Sequence, residues 1–202
     1  QEGHIAAALY DSKSENLFTE KFLAFHVSGG TTEAVIAKGN GYGFSLDLAA
    51  KSLDLNAGQA IDRVGLMLGL RFPCGAELEK LALKNTKKIS VRPTLKECDC
   101  CLSGLENICR RLLENNESKE YIAAYCIEYI RKTLSLMTDK LLLKYGTMPV
   151  LYAGGVMSDS IIQNSFKEKY NAAFAQPSLS SDNAVGIAYL AYRKYKNVHT
   201  EF

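Results

Sequence analysis

The chain has 202 residues, 47% of them hydrophobic, enough to bury one substantial core and so one domain or one lobe. Its 24 basic and 22 acidic residues give a formal net charge of only +2, so the totals show no strongly basic nucleic-acid face and read as an ordinary solvated surface. No apolar run approaches the roughly eighteen residues that cross a bilayer, and the N-terminus lacks a signal-peptide pattern, which excludes a membrane role and predicts a cytoplasmic protein.

Gln1-Glu2-Gly3-His4 stands directly against the small, apolar stretch Ile5 to Leu9, without an initiator methionine. A start inside an apparent element suggests a fragment. Phe22 to Val27 is an apolar run broken by Ser28-Gly29-Gly30 and resumed at Ala34 to Ile36, which predicts two strands joined by a glycine turn. Gly39 to Gly43 is the next turn and Phe44 to Leu48 a third strand. From Asn56 the period changes: Ala57, Ala60, Ile61, Val64 and Leu68 make one helical stripe. Gly69, Pro73 and Gly75 end it, and a short helix is expected over Ala76 to Leu83.

Ile89 to Val91 reads as another short strand. The cysteines at 98, 100 and 101, with those at 74, 109 and 126, show no second CxxC and no histidine pair, so buried free thiols are expected rather than a cysteine-bound metal. A helix is expected from Ser103 through Leu113, a polar break at Asn115 to Ser118, and a long helix from about Lys119 to Lys144. Val150 to Ala153 is a compact buried strand, with Gly154-Gly155 turning it into a helix near Ser158. Ala172 to Ala175 is a further strand, and a last helix begins near Asp182-Asn183. Three strands joined by turns, then helices, then strands alternating with helices, predict a mixed α/β layer structure.

Four segments could carry chemistry. In His26-Val27-Ser28-Gly29-Gly30-Thr31-Thr32 two glycines let the backbone approach a ligand and consecutive N–H groups can form an anion nest; a plain hairpin turn fits equally. Gly154-Gly155, between a buried strand and a helix, suits a phosphate or ribose, or simply a tight connection. Asp182 is most simply a helix N-cap, and a metal role needs further ligands in space. Asp62 flanks the apolar stripe, where it can accept from a ribose hydroxyl or stay solvated.

Glu2-Gly3-His4, the His26 to Gly30 segment, Gly58-Gln59-Ala60-Ile61-Asp62-Arg63-Val64, Gly69 to Gly75, Ser103-Gly104-Leu105, Ala153-Gly154-Gly155-Val156 and Ser181-Asp182-Asn183-Ala184 occur in an order that resembles the TsaD family, long called glycoproteases. The resemblance implies an α/β, ribonuclease-H-like lobe of the fold shared by actin, sugar kinases and heat-shock ATPases. Residues 1–202 would be mainly the second lobe, with the first missing. It further implies transfer of a threonylcarbamoyl group from its adenylate to the tRNA adenosine beside the anticodon, with TsaB-like and TsaE-like partners. A divalent metal, iron or zinc, would be held by His4, His26 and Asp182, with His4 closing an HxxxH motif. Val27, Ser28, Gly29 and Gly30 would approach the phosphate and acyl part of an ATP/AMP-type nucleotide or threonylcarbamoyl-adenylate. Asp62, Gly75 and Glu79 would hold ribose and adenine, with Gly154, Gly155 and Asp159 completing the site.

Asp159 replaces an amide, Cys74 the first of a glycine pair, and Glu106 a common lysine, while Cys100, Cys101 and Leu102 stand in a segment usually richer in serine and phenylalanine. These departures also admit a non-catalytic paralogue. The peptidase of the older name lacks an HExxH helix with a general-base glutamate.

Overall fold

The computed structural model describes residues 1–10, 14–176 and 184–199. In chain order they form α1 (Glu2–Leu9), β1 (Lys21–Val27), β2 (Thr32–Gly39), β3 (Phe44–Lys51), α2 (Ala57–Met67) and α3 (Gly75–Ala82). There follow β4 (Leu95–Lys96), β5 (Asp99–Cys100), α4 (Ser103–Glu114), α5 (Lys119–Tyr145), β6 (Val150–Ala153), α6 (Ser160–Lys169), β7 (Ala172–Phe174) and α7 (Ala184–His199).

One five-stranded sheet runs in the order β3-β2-β1-β6-β7. Its first three strands are antiparallel neighbours, and β6 and β7 join β1 in parallel. The central strand explains the layering. Phe22 to Phe25 are all buried, and alternate side chains of a strand point to opposite faces, so each face needs a cover. Leu23, Phe25 and Val27 enter the larger core with α2 to α5, whereas Phe22 and Ala24 enter the smaller one with Ile5 and Leu9 of α1. Tyr152 of β6 is fully buried, and its hydroxyl is satisfied by Thr138 Oγ1 of α5 at 2.9 Å.

Local chemistry sets the helix ends. Asn56 and Gln59 form a reciprocal capping box at α2, and the Ala57 N–H donates to Thr32 Oγ1 at 2.8 Å, which ties the helix to β2. Ser118 caps α5 by accepting from Tyr121 N. The expected strand at Ile89 to Val91 does not form. That segment pairs with no strand among the described residues, and the small hairpin β4–β5 lies further on, at the cysteine cluster. The helix expected near Ser158 splits into a single tight turn over Gly155–Ser158 and then α6, whose N-cap is Asp159. Ile5 to Leu9 are helical, and Asp182-Asn183 lie outside the described residues just before α7.

Candidate functional site

The parallel strands β1 and β6 end side by side, with His26 opposite Ala153, and both chains then turn through glycine. The carboxyl ends of adjacent parallel strands are where open α/β sheets bind ligands. Gly154 takes φ +97°, and a Cβ there would collide with the Val27 backbone, so only glycine lets β6 leave so close to β1. Gly58, in the first turn of α2, is equally constrained: a Cβ would lie 2.5 Å from Gly29 N. The start of α2 is thereby seated on the Ser28-Gly29 turn, with Gly58 N–H donating to Ser28 O at 3.0 Å.

Around these turns lies a cleft of about 500 Å³. It gathers Ser28, Gly29, Asp62, Gly75, Glu79, Gly155 and Asp159 from among the expected nucleotide-binding positions. Val27, Gly30 and Gly154 do not line it; Val27 and Gly154 stand behind it as the backbone contact between β1 and β6. Its apolar wall comes from Ile61, Leu78, Ile127 and Val156. Sequence reasoning missed Ile127, which is one more apolar position on α5 until α5 is laid across the sheet. Gly58 stood inside a recognised motif, but its close approach to Gly29 is a tertiary fact.

The expected anion nest is partly used up inside the protein. Ser28 Oγ accepts from Gly30 N at 3.2 Å and Thr31 N at 3.1 Å, and Gly29, whose amide makes no hydrogen bond among the described residues, is the glycine of the turn that lines the cleft. Asp62 Oδ1 accepts from Cys74 N at 2.8 Å, and its second oxygen has no hydrogen-bond partner among the described residues. Glu79 Oε1 accepts from Ser160 N at 2.9 Å and from the Ser160 hydroxyl, so the α3 carboxylate braces the start of α6. Asp159 Oδ1 accepts from Ile161 N and Ile162 N as the α6 cap. Burial pushes its carboxyl up to about 6, and the nearby Glu79 adds to the rise while the Ile162 and Ile161 amides oppose it.

The departures from the family pattern have local partners. Cys74 is buried against Gly65, where a Cβ would collide with its side chain. Glu106 pairs with Arg110 at 2.8 Å and Arg63 at 3.2 Å, away from the cleft. Burial pushes the Cys100 thiol up to about 11, a protonated group ill suited to ligation. The cysteines are free thiols, as expected, but only Cys74, Cys100, Cys109 and Cys126 are buried; Cys98 is half-buried and Cys101 exposed, because they sit on the small β4–β5 hairpin at the surface.

His4 and His26 meet on the opposite face of the sheet, their ring centroids 4.4 Å apart. Nδ1 of each is buried without a hydrogen-bond partner. Burial, followed by the neighbouring His4, holds His26 at about 4, so it is a neutral imidazole. Two orphaned imidazole nitrogens side by side fit a divalent metal. The third expected ligand, Asp182, lies outside the described residues, and among those described no group of three or more His, Cys, Asp or Glu forms a metal-holding cluster.

Residues 1–189 match the family model TsaD, tRNA N6-adenosine threonylcarbamoyltransferase. The chain belongs to the TsaD family. Curated relatives carrying the name tRNA N6-adenosine threonylcarbamoyltransferase include those of Mesoplasma florum, 31% identical over 96% of this chain, and Buchnera aphidicola, 29% identical over 96%. That of Archaeoglobus fulgidus is 29% identical over 89%. The chain spans 65%, 60% and 56% of these relatives' lengths respectively.

Among solved structures, full-length HypF in a phosphate- and nucleotide-bound form superposes with TM-score 0.72 at 15% identity, over 95% of this chain and 42% of that one. The activator of 2-hydroxyisocaproyl-CoA dehydratase from Clostridium difficile, with bound ADPNP, superposes with TM-score 0.63 at 17% identity, over 100% and 68%. At these identities the likeness concerns fold. The TsaD chain has the ribonuclease-H-like lobe of the actin, sugar-kinase and heat-shock ATPase class, with its mixed sheet flanked by helices. No helix among the described residues is long and apolar enough to cross a membrane.

Proposed function

We propose that the protein to which this chain belongs transfers a threonylcarbamoyl group from threonylcarbamoyl-adenylate to N6 of the tRNA adenosine beside the anticodon. The observation that carries this reading is the cleft at the ends of β1 and β6, lined by seven of the ten expected nucleotide positions in a TsaD chain. In the reaction the N6 amine forms a bond to the carbamoyl carbon, the carbon–oxygen bond to the adenylate phosphate breaks, and AMP leaves as the amine loses one proton. No covalent protein intermediate is needed, which suits a cleft without an activated nucleophile.

In this reading the cleft binds the AMP half. The Gly29 amide and the Gly155 turn approach the phosphate, Asp62 and Glu79 accept from ribose and adenine, and the apolar wall excludes water from the base. His4 and His26, with Asp182 as the expected third ligand, would hold iron or zinc. Such an ion supplies Lewis acidity toward an acyl oxygen when bound. The chain would be the second lobe of a cytoplasmic protein working with TsaB-like and TsaE-like partners and with tRNA. Its share of the relatives' length supports the lobe assignment, as does the outer face of α7, where Ile187, Tyr192 and Tyr195 are each more than half exposed.

A second reading, a non-catalytic scaffold, is favoured by Asp159, an acidic residue in the cleft lining that would repel a phosphate bound close to it. Calorimetric titration of the full-length protein with AMP and ATP, with and without iron or zinc, followed by a tRNA transfer assay, separates the two. Binding and transfer support the enzyme, whereas no nucleotide binding with either metal leaves only the scaffold.

A further inference from the structure

The small net charge of the chain hides a strong local imbalance. Residues 80–96 contain six basic side chains and no acidic one, while the remainder carries 18 basic against 22 acidic. Lys87 is paired, with Glu117 at 2.7 Å, whereas Lys80, Lys84, Lys88, Arg92 and Lys96 are exposed and meet no carboxylate among the described residues.

The segment also has a regular geometry. From 88 to 96, even-numbered residues are exposed and odd-numbered ones are half-buried or buried. Ile89, Val91, Pro93 and Leu95 anchor it, and Lys88, Ser90, Arg92, Thr94 and Lys96 face outward. Its two ends are fixed along α5: Lys87 Nζ stands over the Tyr121 ring, and Lys140 Nζ donates to Glu97 O at 2.7 Å. Nineteen helical residues separate Tyr121 from Lys140, about 28 Å at 1.5 Å per residue. An extended run of ten residues reaches about 33 Å, and the lysine side chains add reach at either end, so the span is compatible with an extended path. The burial alternation and the span therefore agree. Yet no residue from 88 to 94 makes a backbone hydrogen bond to another described residue.

We infer that this basic, extended track binds the sugar-phosphate backbone of an RNA strand. Cation, hydroxyl, cation, hydroxyl and cation recur along its outward face, about 7 Å apart, a repeat comparable with that of successive phosphates. Lysine, arginine, serine, threonine and free backbone N–H groups are the donors that contact phosphates. The same face carries no aliphatic or aromatic side chain that could anchor a protein partner. The basic run that ends in the track opens at Lys80 of α3, the residue after Glu79 of the cleft wall, and the extended part follows from Lys88. The RNA-binding surface is read from charge and geometry, and only the choice of tRNA as its ligand rests on the transfer reading.

The test measures binding of a transcribed, unmodified tRNA to the chain by fluorescence anisotropy across a salt series. The Lys88→Ala/Arg92→Ala/Lys96→Ala variant is expected to bind about tenfold or more weakly, and its slope of log affinity against log salt to fall by about two to three. The Lys21→Ala/Lys38→Ala/Lys194→Ala variant, which removes the same charge elsewhere, is expected to stay within about twofold of the parent. Equal losses in both variants, or none in the first, overturn the track. Displacement of the tRNA by polyglutamate as readily as by unlabelled RNA also overturns it, in favour of an acidic protein segment. AMP titration of the first variant supports the track if nucleotide binding is kept while RNA binding is lost; loss of both overturns it as a disturbed fold. A parent chain that binds RNA through the track but not AMP sinks the transfer reading alone.

Discussion

Asp159 serves two ends that conflict. Its carboxylate caps α6 through two amides, yet it lines the cleft beside Glu79. Burial raises it from 3.8 to about 6, so between those values the folded chain holds a proton that the unfolded chain has released. Stability from this group is therefore greatest in acid and is lost as the pH rises from about 4 to 6. A rise of that size corresponds to at most about 3 kcal/mol, and partial solvent screening reduces this to about 1–2. Asn caps a helix as well as Asp. Asp159→Asn is thus expected to stabilise the chain by about 1–2 kcal/mol at pH 8 and by almost nothing at pH 4, read by urea denaturation at the two pH values. The same variant is expected to bind AMP more tightly at pH 8, since a charge facing the phosphate is gone; equal affinities by calorimetry would place the phosphate elsewhere.

At the scale of elements, the cleft depends on short ties between segments far apart in sequence. Asp54, in the loop after β3, accepts from Leu102 N, Ser103 N and the Ser103 hydroxyl, fixing the start of α4 to the sheet. Those hydrogen bonds outweigh the cost of its burial and hold its carboxyl below the ordinary range. Asp54→Ala removes an exposed acceptor that water replaces at Ser103 but less readily at the buried Leu102, and is expected to cost about 0.5–1.5 kcal/mol in chemical denaturation. Gly58 ties α2 to the Ser28-Gly29 turn in the opposite sense, by having nothing where a Cβ would be. Gly58→Ala forces the helix and turn apart at the mouth of the cleft. Calorimetry is expected to show AMP binding weakened at least tenfold while circular dichroism still reports the native helix content; unchanged binding would remove the turn from the ligand site.

For the whole molecule, burial on both faces of β1 demands two helical layers, and the thinner one rests on a helix crossing. Gly186 of α7 sits against the Gly3 carbonyl of α1, where any Cβ would collide. Gly186→Val is expected to destabilise the chain by about 2–4 kcal/mol by pushing α7 off α1 and opening the smaller core, as measured by the thermal midpoint. The strands over 22–27 and 150–153, the α2 stripe and the break before α5 were legible in the sequence, because each rests on local periodicity and on glycine, proline or capping residues. The glycine turns and Asp62, Glu79 and Asp159 were legible too, through the resemblance of their surrounding motifs. Ile89 to Val91 reads as a strand for the right local reason, since its side chains alternate, but strand pairing is a property of neighbours, and the segment lies along α5 with none. The interspersed charge of the totals likewise conceals a track that appears only when residues 88–96 stretch out along a helix. Sequence alone determined the family and the α/β class and proposed the candidate nucleotide positions, because these are carried by short motifs and periods. The tertiary structure decided which of those positions share one cleft, that Ile127 and Gly58 belong to it, that two orphaned histidines meet, and where the unpaired cations line up, because each depends on distances between elements that no local pattern encodes.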